Sequence, residues 1–200
     1  MRKEFLERNT NETKIKIEIN LDKKGENAIE TGIGFFDHML NLFAFRAGIT
    51  LNIACKGDLE VDGHHTVEDV GICLGQAISK ALGDKSGIAR YGSARLPMDE
   101  CLAQVDLDIS NRPYLVFNAE FGDRRIGENE KYQVGDFETE LVEEFFRAIA
   151  VNAGITLHIN LLYGKNTHHK IEAIFKAFGI ALGQAMRITD EGVSSTKGVL

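Results

Sequence analysis

The sequence predicts an α+β fold made of two related halves, each a four-stranded sheet with two helices on one face. Three observations predict it. The run His-His-x-x-Glu occurs at His64–Glu68 and again at His168–Glu172, each time followed by apolar residues of helical period. Ala47–Ile53 recurs 106 positions later as Ala153–Ile159. Residues of alternating polarity, typical of strands, precede these segments in both halves. An internal duplication explains all three observations.

The sequence pattern of the first half predicts the element order β-β-β-α-β-α. Alternation is clearest in Lys14–Ile19, a strand with one solvent-exposed face. Gly48 follows an apolar helical stretch and is suited to be its C-cap. The predicted strands are 3–9, 13–20, 27–30 and 49–55, and the predicted helices are 35–47 and 65–82.

The sequence pattern of the second half predicts the same order of elements. Its strands are expected at 89–94, 98–110, 112–119 and 155–162, and its helices at 138–152 and 167–187. A polar loop runs through Gly135. We therefore divide the chain into a first half at 1–88, a second half at 89–188 and a C-terminal substrate-binding tail at 189–200.

Composition narrows the function classes. A chain of 200 residues with 44% hydrophobic and 26% charged residues is typical of a globular protein. The net charge of −7 argues against nucleic-acid binding. No apolar stretch approaches the length of a membrane span, and no signal peptide is visible. Cys55, Cys73 and Cys101 lie in apolar patterns, which predicts reduced core thiols in a cytoplasmic protein.

The doubled motif predicts a metal site. On a helix, Glu68 lies one turn from His64 and His65, whereas the two histidines point about 100° apart. Adjacent histidines are therefore expected to serve two different ions, with other ligands arriving from elsewhere. The repeat also aligns His38 with Glu144. The candidate ligands are His38, His64, His65, Glu68, Glu144, His168, His169 and Glu172.

Imidazole and carboxylate donors without cysteine suit Mn, Fe, Co, Ni or Zn, and room for six ligands favours manganese-like ions. The alternative is a pair of solvated histidines at each helix start. Repetition of the motif in matching contexts makes the metal hypothesis the stronger one.

Several cationic and hydroxyl side chains are suited to hold a phosphate group. Arginine forks and hydroxyl or backbone donors bind phosphate oxygens, although each such residue alone is also typical of a solvated surface. The candidates are Arg90, Arg112, Lys176, Ser195 and Lys197.

Two other function classes compete with a phosphate-binding metalloenzyme. A metal-storage or metal-sensing assembly would use the same histidines and glutamates but has no need of Arg90, Arg112 and Lys197. A metal-dependent hydrolase would need an open metal position and a base that activates water, and the sequence leaves that possibility open.

Five segments together resemble the imidazoleglycerol-phosphate dehydratase family. They are Gly34–Leu40, Asp62–Asp69, Pro97–Glu100, Asn166–Ala173 and Ser195–Leu200. The resemblance runs from Glu7 to the C-terminus. It implies elimination of water from imidazole glycerol phosphate to give imidazole acetol phosphate in histidine biosynthesis. It also implies two Mn(2+) ions per active site, which bind the substrate imidazole and help it become an imidazolate.

The resemblance further implies trimers that assemble into an octahedral shell, with active sites between subunits. Its metal ligands match His38, His64, His65, Glu68, His168, His169 and Glu172. Its phosphate-binding residues match Arg90, Arg112, Lys176, Ser195 and Lys197, and Glu12 matches a residue at the substrate. Many members carry histidine where this chain has Glu144. Because carboxylate replaces imidazole well at a hard metal, we retain Glu144 as a ligand.

The expected chemistry also needs a group that moves protons. A carboxylate close to the reacting carbon is suited to this role, and the candidates are Glu172 and Glu12. We expect Glu172 to be metal ligand and proton shuttle together, because it lies one turn after His168 on the same helix face.

Overall fold

The computed structural model describes residues 1–121, 133–189, 192 and 194–198. Its first half contains strands β1 (Lys3–Asn9), β2 (Thr13–Asn20), β3 (Ala28–Glu30) and β4 (Thr50–Gly57), with helices α1 (Gly34–Ala47) and α2 (His64–Leu82). Its second half contains β5 (Tyr91–Met98), β6 (Cys101–Ile109), β7 (Tyr114–Asn118), β8 (Gln133–Val134), β9 (Phe137–Glu138), α3 (Leu141–Ala153), β10 (Ile155–Tyr163) and α4 (Thr167–Ala185).

Two four-stranded sheets have the same topology. Their strand orders are β1-β2-β4-β3 and β5-β6-β10-β7, and only the pairs β3–β4 and β7–β10 are parallel. Ile53 on β4 pairs with Ile17 and Ile29, and Ile159 on β10, which is 106 residues later, pairs with Val105 and Phe117. The predicted α+β class with a duplicated half is confirmed.

Each sheet has one buried and one exposed face. On β2, Ile15, Ile17 and Ile19 are buried whereas Lys14 and Lys16 are exposed, as the alternating sequence predicts. Helices α1 and α2 pack on the first sheet, and α3 and α4 pack on the second. Across the halves, α1 packs against α4 and α2 against α3. The four helices therefore build one core shared by both halves.

Glycines allow the helices of the two halves to approach closely. A Cβ atom at Gly179 of α4 would lie 2.6 Å from the carbonyl oxygen of Phe43 on α1. A Cβ atom at Gly75 of α2 would lie 3.1 Å from the carbonyl oxygen of Ile149 on α3. Gly75 and Gly179 are equivalent in the repeat, so a glycine allows close approach both in the pair α2–α3 and in the pair α1–α4. The close approach at Gly179 lies between α1, which carries His38, and α4, which carries His168 and Glu172.

Three predicted boundaries in the second half are wrong. Strand β5 continues to Met98 instead of ending at residue 94, and the next strand begins at Cys101 after a turn at Asp99 and Glu100. Pro97 is tolerated within β5 because β5 is an edge strand with one side free of ladder bonds. Part of the predicted polar loop forms the β8–β9 hairpin. That hairpin pairs Phe137 and Glu138 with β8, so α3 begins at Leu141 and not at residue 138.

The cysteines are free thiols, with Cys73 and Cys101 buried and Cys55 half-buried. Burial raises the pKa of Cys55 to about 12 and that of Cys73 to about 11. Both groups are therefore protonated and unreactive at neutral pH. Within the described ranges, none of the helices combines the length and the apolar character that crossing a bilayer requires.

Candidate active site

The packing of α1 against α4 brings three potential metal ligands together. His168 Nε2 lies 3.1 Å from Glu172 Oε2, and His38 Nε2 lies 3.8 Å from the same oxygen. One ligand atom from each of the three residues fits within 4.8 Å of the other two. Two imidazoles and one carboxylate are donors that divalent first-row metals prefer, so this group fits a metal ion.

The charge of Glu172 supports this interpretation. The residue is only 6% exposed, and Lys176 forms an ion pair with its Oε1. Burial alone raises the pKa of Glu172, but the interactions with Lys176 and His168 outweigh it, and the pKa lies below its usual value. The carboxyl group is therefore ionised at neutral pH and presents an anionic oxygen to the two imidazoles.

The corresponding residues of the other helix pair are less closely gathered. His64 Nε2 lies 3.7 Å from Glu68 Oε2 on α2. Glu144 lies on α3, where its Oε2 is 3.4 Å from Arg147 Nε. Within the described ranges, these three residues do not form a second group of the kind found around Glu172.

The two histidines of each pair point in different directions. The ring planes of His64 and His65 differ by 89°, and those of His168 and His169 by 82°. The partners differ as well, because His64 faces Glu68 whereas His65 faces Asp58, which confirms the divergence expected from helix geometry. His168 faces Glu172, whereas His169 faces Glu100 on the β5–β6 turn.

His65 and His169 each face a carboxylate through Nδ1. His65 Nδ1 lies 3.2 and 3.1 Å from the two oxygens of Asp58, and His169 Nδ1 lies 2.8 Å from Glu100 Oε2. These hydrogen bonds raise the pKa of both histidines above the usual value. A carboxylate on Nδ1 holds the ring orientation and leaves Nε2 for another partner.

Glu12 lies in the turn between β1 and β2, 3.8 Å from His65 Nε2. Its side chain is 54% exposed. The end of the turn is attached to α2, because Thr13 Oγ1 donates to Asp69 Oδ2 at 2.5 Å and Arg8 forms an ion pair with the same carboxylate. The turn therefore holds Glu12 beside the histidine pair of α2.

The predicted phosphate ligands divide into two places. Arg90 donates to both oxygens of Asp108 at 2.7 and 3.1 Å and to the carbonyl oxygen of Ser194 at 2.8 Å. Arg112 donates to Asp108 at 3.3 Å, and its side chain is 65% exposed. In the adjoining tail, the Lys197 backbone N–H donates to Ser195 Oγ. We call Arg90, Arg112, Ser195 and Lys197 the cationic cluster. Lys176 instead lies beside Glu172.

The length of α4 separates the cationic cluster from His38, His168 and Glu172, which we call the metal group. His168 is the second residue of α4, whereas the backbone N–H of Arg90 donates to the carbonyl oxygen of Ala185, the last residue. At about 1.5 Å per residue, these two ends of the helix are about 26 Å apart. One chain therefore does not bring the two sets of residues to a single small ligand.

Sequence reasoning missed three carboxylates that orient the site. From the sequence alone, Asp58 has no assigned role, Glu100 is included only in the segment Pro97–Glu100 and Asp108 only in the predicted strand 98–110, whereas each of them contacts a candidate site residue in the structure. Asp108 carried a usable signal, because an acidic side chain on a strand beside candidate phosphate-binding arginines predicts ion pairing. Asp58 and Glu100 contact histidines on other elements, so their roles depend on the tertiary structure.

Comparisons with known proteins identify the family to which the chain is similar. The family model described as imidazoleglycerol-phosphate dehydratase matches residues 31–182. The chain is 60% identical to the imidazoleglycerol-phosphate dehydratase of Acetivibrio thermocellus, over 100% of this chain and 99% of that protein. It is 56% identical to the protein of the same name from Oceanobacillus iheyensis, over 100% of both chains.

Solved structures agree in fold. The dehydratase of Staphylococcus aureus superposes with a TM-score of 0.81 at 48% identity, covering 92% of this chain and 98% of that chain. The enzyme of Pyrococcus furiosus, solved in complex with (S)-C348, superposes with a TM-score of 0.80 at 38% identity, covering 98% and 100%. The chain therefore belongs to the imidazoleglycerol-phosphate dehydratase family, whose members are metal-dependent hydro-lyases of histidine biosynthesis.

Proposed function

We propose that the chain eliminates water from imidazole glycerol phosphate at an active site that holds two Mn(2+) ions and is shared between subunits. The observation that carries the proposal is the group of His38, His168 and Glu172, together with its distance from the cationic cluster. The substrate has an imidazole ring at one end and a phosphate at the other, which suits these two kinds of residue.

The proposed metal ligands are those of the repeated motif and its partners. Besides His38, His168 and Glu172, the proposed ligands include residues that other chains contribute to the same ions. When bound, the ions act as Lewis acids that lower the pKa of the substrate's imidazole N–H. The complete proposed set is His38, His64, His65, Glu68, Glu144, His168, His169 and Glu172.

The reaction removes the hydroxyl group from the carbon attached to the ring and a proton from the next carbon. The enol left after loss of one water molecule becomes the ketone, imidazole acetol phosphate. Glu172 is ionised and faces His168, so it is suited to accept or return a proton. Glu12, exposed beside His65, is suited to the second proton transfer. Arg90, Arg112, Lys176, Ser195 and Lys197 hold the phosphate.

The distance along α4 supports a site shared between chains. Imidazole glycerol phosphate has three carbons between its ring and its phosphate ester, far fewer than a distance of about 26 Å requires. The metal group of one chain must therefore work with the cationic cluster of another. We propose that this occurs in trimers assembled into an octahedral shell, and that the tail at 189–200 closes the phosphate end.

We further propose that the enzyme works in the cytoplasm, where its three thiols stay reduced. The duplicated units are proposed to be 1–88 and 89–188. No nucleic-acid or membrane partner is part of the proposal.

Incubation of Mn(2+)-loaded protein with imidazole glycerol phosphate tests the activity. We expect the ketone product to form, and no product after chelation. Release of inorganic phosphate without ketone formation would support a hydrolase instead. Metal uptake without turnover would support a storage protein.

Mixed oligomers test the shared site. Glu172→Gln damages the metal group, and Lys197→Gln damages the cationic cluster. If each site draws the two residues from different chains, equal amounts of the two inactive variants, dissociated and reassembled together, should regain about a quarter of wild-type activity by random mixing. Activity no higher than that of either variant alone would contradict a shared site.

A further inference from the structure

The second histidine of each pair contacts a carboxylate that the repeat does not duplicate. Asp58 follows β4, and the equivalent position after β10 is Gly164. A Cβ atom at Gly164 would lie 2.3 Å from Cys101 Sγ, so a side chain does not fit there. Glu100, the residue before Cys101, supplies the carboxylate to His169 instead. Two residues from different positions in the repeat thus place a carboxylate at the same ring nitrogen, Nδ1.

The geometry points to Asp58 and Glu100 as positioning residues that keep the proton of His65 and His169 on Nδ1 and direct the Nε2 lone pair towards a metal ion. This inference rests on the proposed function, in which both histidines are ligands. An ionised carboxylate only accepts hydrogen bonds, so the ring nitrogen that faces it must carry the hydrogen. The other nitrogen is then free to coordinate a metal.

The environment of Glu100 makes the inference sharply testable. Its Oε1 accepts hydrogen bonds from the backbone N–H groups of Asn166 at 2.7 Å and Lys165 at 3.2 Å. In Glu100→Gln these donors require the amide oxygen at the Oε1 position, so the introduced NH₂ group faces His169 Nδ1. His169 must then accept at Nδ1 and carry its proton on Nε2, where a metal would otherwise bind.

Asp58 provides a matched control. Both of its oxygens lie near the same atom, His65 Nδ1, at 3.2 and 3.1 Å. In Asp58→Asn the amide can rotate so that its oxygen continues to accept from Nδ1. The two substitutions make the same chemical change, yet only Glu100→Gln is expected to reverse the tautomer.

Metal-free protein labelled with ¹⁵N-histidine reports the tautomers directly in solid-state NMR spectra, because the chain has only six histidines. Spectra are recorded over a rising pH series from about pH 8.5 until the rings are neutral, because the carboxylate contacts raise the pKa of both histidines above the ordinary value of about 6.5. Mn(2+) affinity is measured by EPR titration, and folding by circular dichroism. We expect Nδ1–H tautomers for His65 and His169 in wild type and in Asp58→Asn. We expect an Nε2–H tautomer for His169 in Glu100→Gln, with affinity lowered about 10- to 100-fold.

Nε2–H tautomers of His65 and His169 in the wild-type spectrum would overturn the inference, and this measurement does not depend on any variant folding. Wild-type affinity and an unchanged spectrum in folded Glu100→Gln would also overturn it. Failure of the wild type to bind Mn(2+) would contradict the proposed function, and the wild-type tautomers would still decide the role of the carboxylates.

Discussion

The carboxylate of Glu172 divides its two oxygens between different partners. Oε1 pairs with Lys176, and Oε2 faces His168 and His38. The residue is buried and ionised at once, because the cation compensates for the loss of water. An anionic oxygen held between two imidazoles is suited both to bind a metal and to exchange a proton.

Glu172→Gln keeps the size of this side chain and removes its charge. We expect turnover to fall at least about 100-fold, because the variant loses a proton acceptor, while the remaining ligands keep the oligomer assembled. Steady-state kinetics and light scattering measure the two effects. Glu143→Gln is the control, since Glu143 is an exposed carboxylate on α3 paired with Arg147. Wild-type turnover in Glu172→Gln would dismiss its proton role.

Asp69 illustrates a structural carboxylate close to the site. It is buried, and it accepts from Thr13 Oγ1 and pairs with Arg8. Asp69→Ala leaves the buried end of Arg8 without its partner, which should cost about 1–3 kcal/mol and lower the melting temperature by roughly 3–10 °C. Thermal unfolding at fixed protein concentration measures this. Asp69→Asn, which can still accept from Thr13, should lose less, and an equal loss in both variants would contradict the role of hydrogen bonding.

Helix pairing is the decisive feature at the scale of secondary-structure elements. His38 comes from α1 and the other two members of the metal group come from α4, so the site exists only where these helices cross. Gly179 sets their separation, and Phe43 stacks on Phe178 at 5.2 Å beside the crossing. The pattern of apolar residues predicted each helix, whereas the choice of partner depends on such complementary surfaces.

Gly179→Ala tests this crossing. The added methyl group meets the carbonyl oxygen of Phe43 at 2.6 Å, so α1 and α4 must move apart, and we expect a loss of about 1–3 kcal/mol of stability. Gly34→Ala at the start of α1 is the matched control, because its Cβ meets no atom within 4 Å. Chemical denaturation compares the two variants. Equal stability of both would mean that the crossing tolerates a wider spacing.

Strand boundaries show the limits of local patterns at the same scale. The alternation in β2 predicted its ends correctly, because each residue meets either core or solvent. The prediction that ends β5 at residue 94 is wrong, and Pro97 fits in the longer strand because a residue on a sheet edge does not need the missing N–H. The β8–β9 hairpin was missed because its two-residue strands are too short for alternation to be recognised.

For the whole molecule, the separation of the metal group from the cationic cluster predicts a link between metal binding and assembly. Metal ions that take ligands from more than one chain hold those chains together, since binding energy is then also association energy. If the chain forms the proposed assembly, complete removal of metal by a chelator should reduce that assembly to smaller species in light scattering, and added Mn(2+) should restore it. A particle whose size does not change without metal would show that the ions do not join subunits.

The fold class, the duplication and the chemical types of the candidate ligands are all predictable from the residue pattern. These properties depend on local periodicity and on repeated residues, and both can be recognised in the sequence without knowing how the elements pack. The packing of the elements, in contrast, brings His38, His168 and Glu172 together. It also places Asp58 beside His65 and Glu100 beside His169. Lys176 lies beside Glu172 and away from Arg90 for the same reason. The physical reason is that these contacts join residues of different elements, and the distances between them follow from how helices and strands pack, which no local pattern encodes.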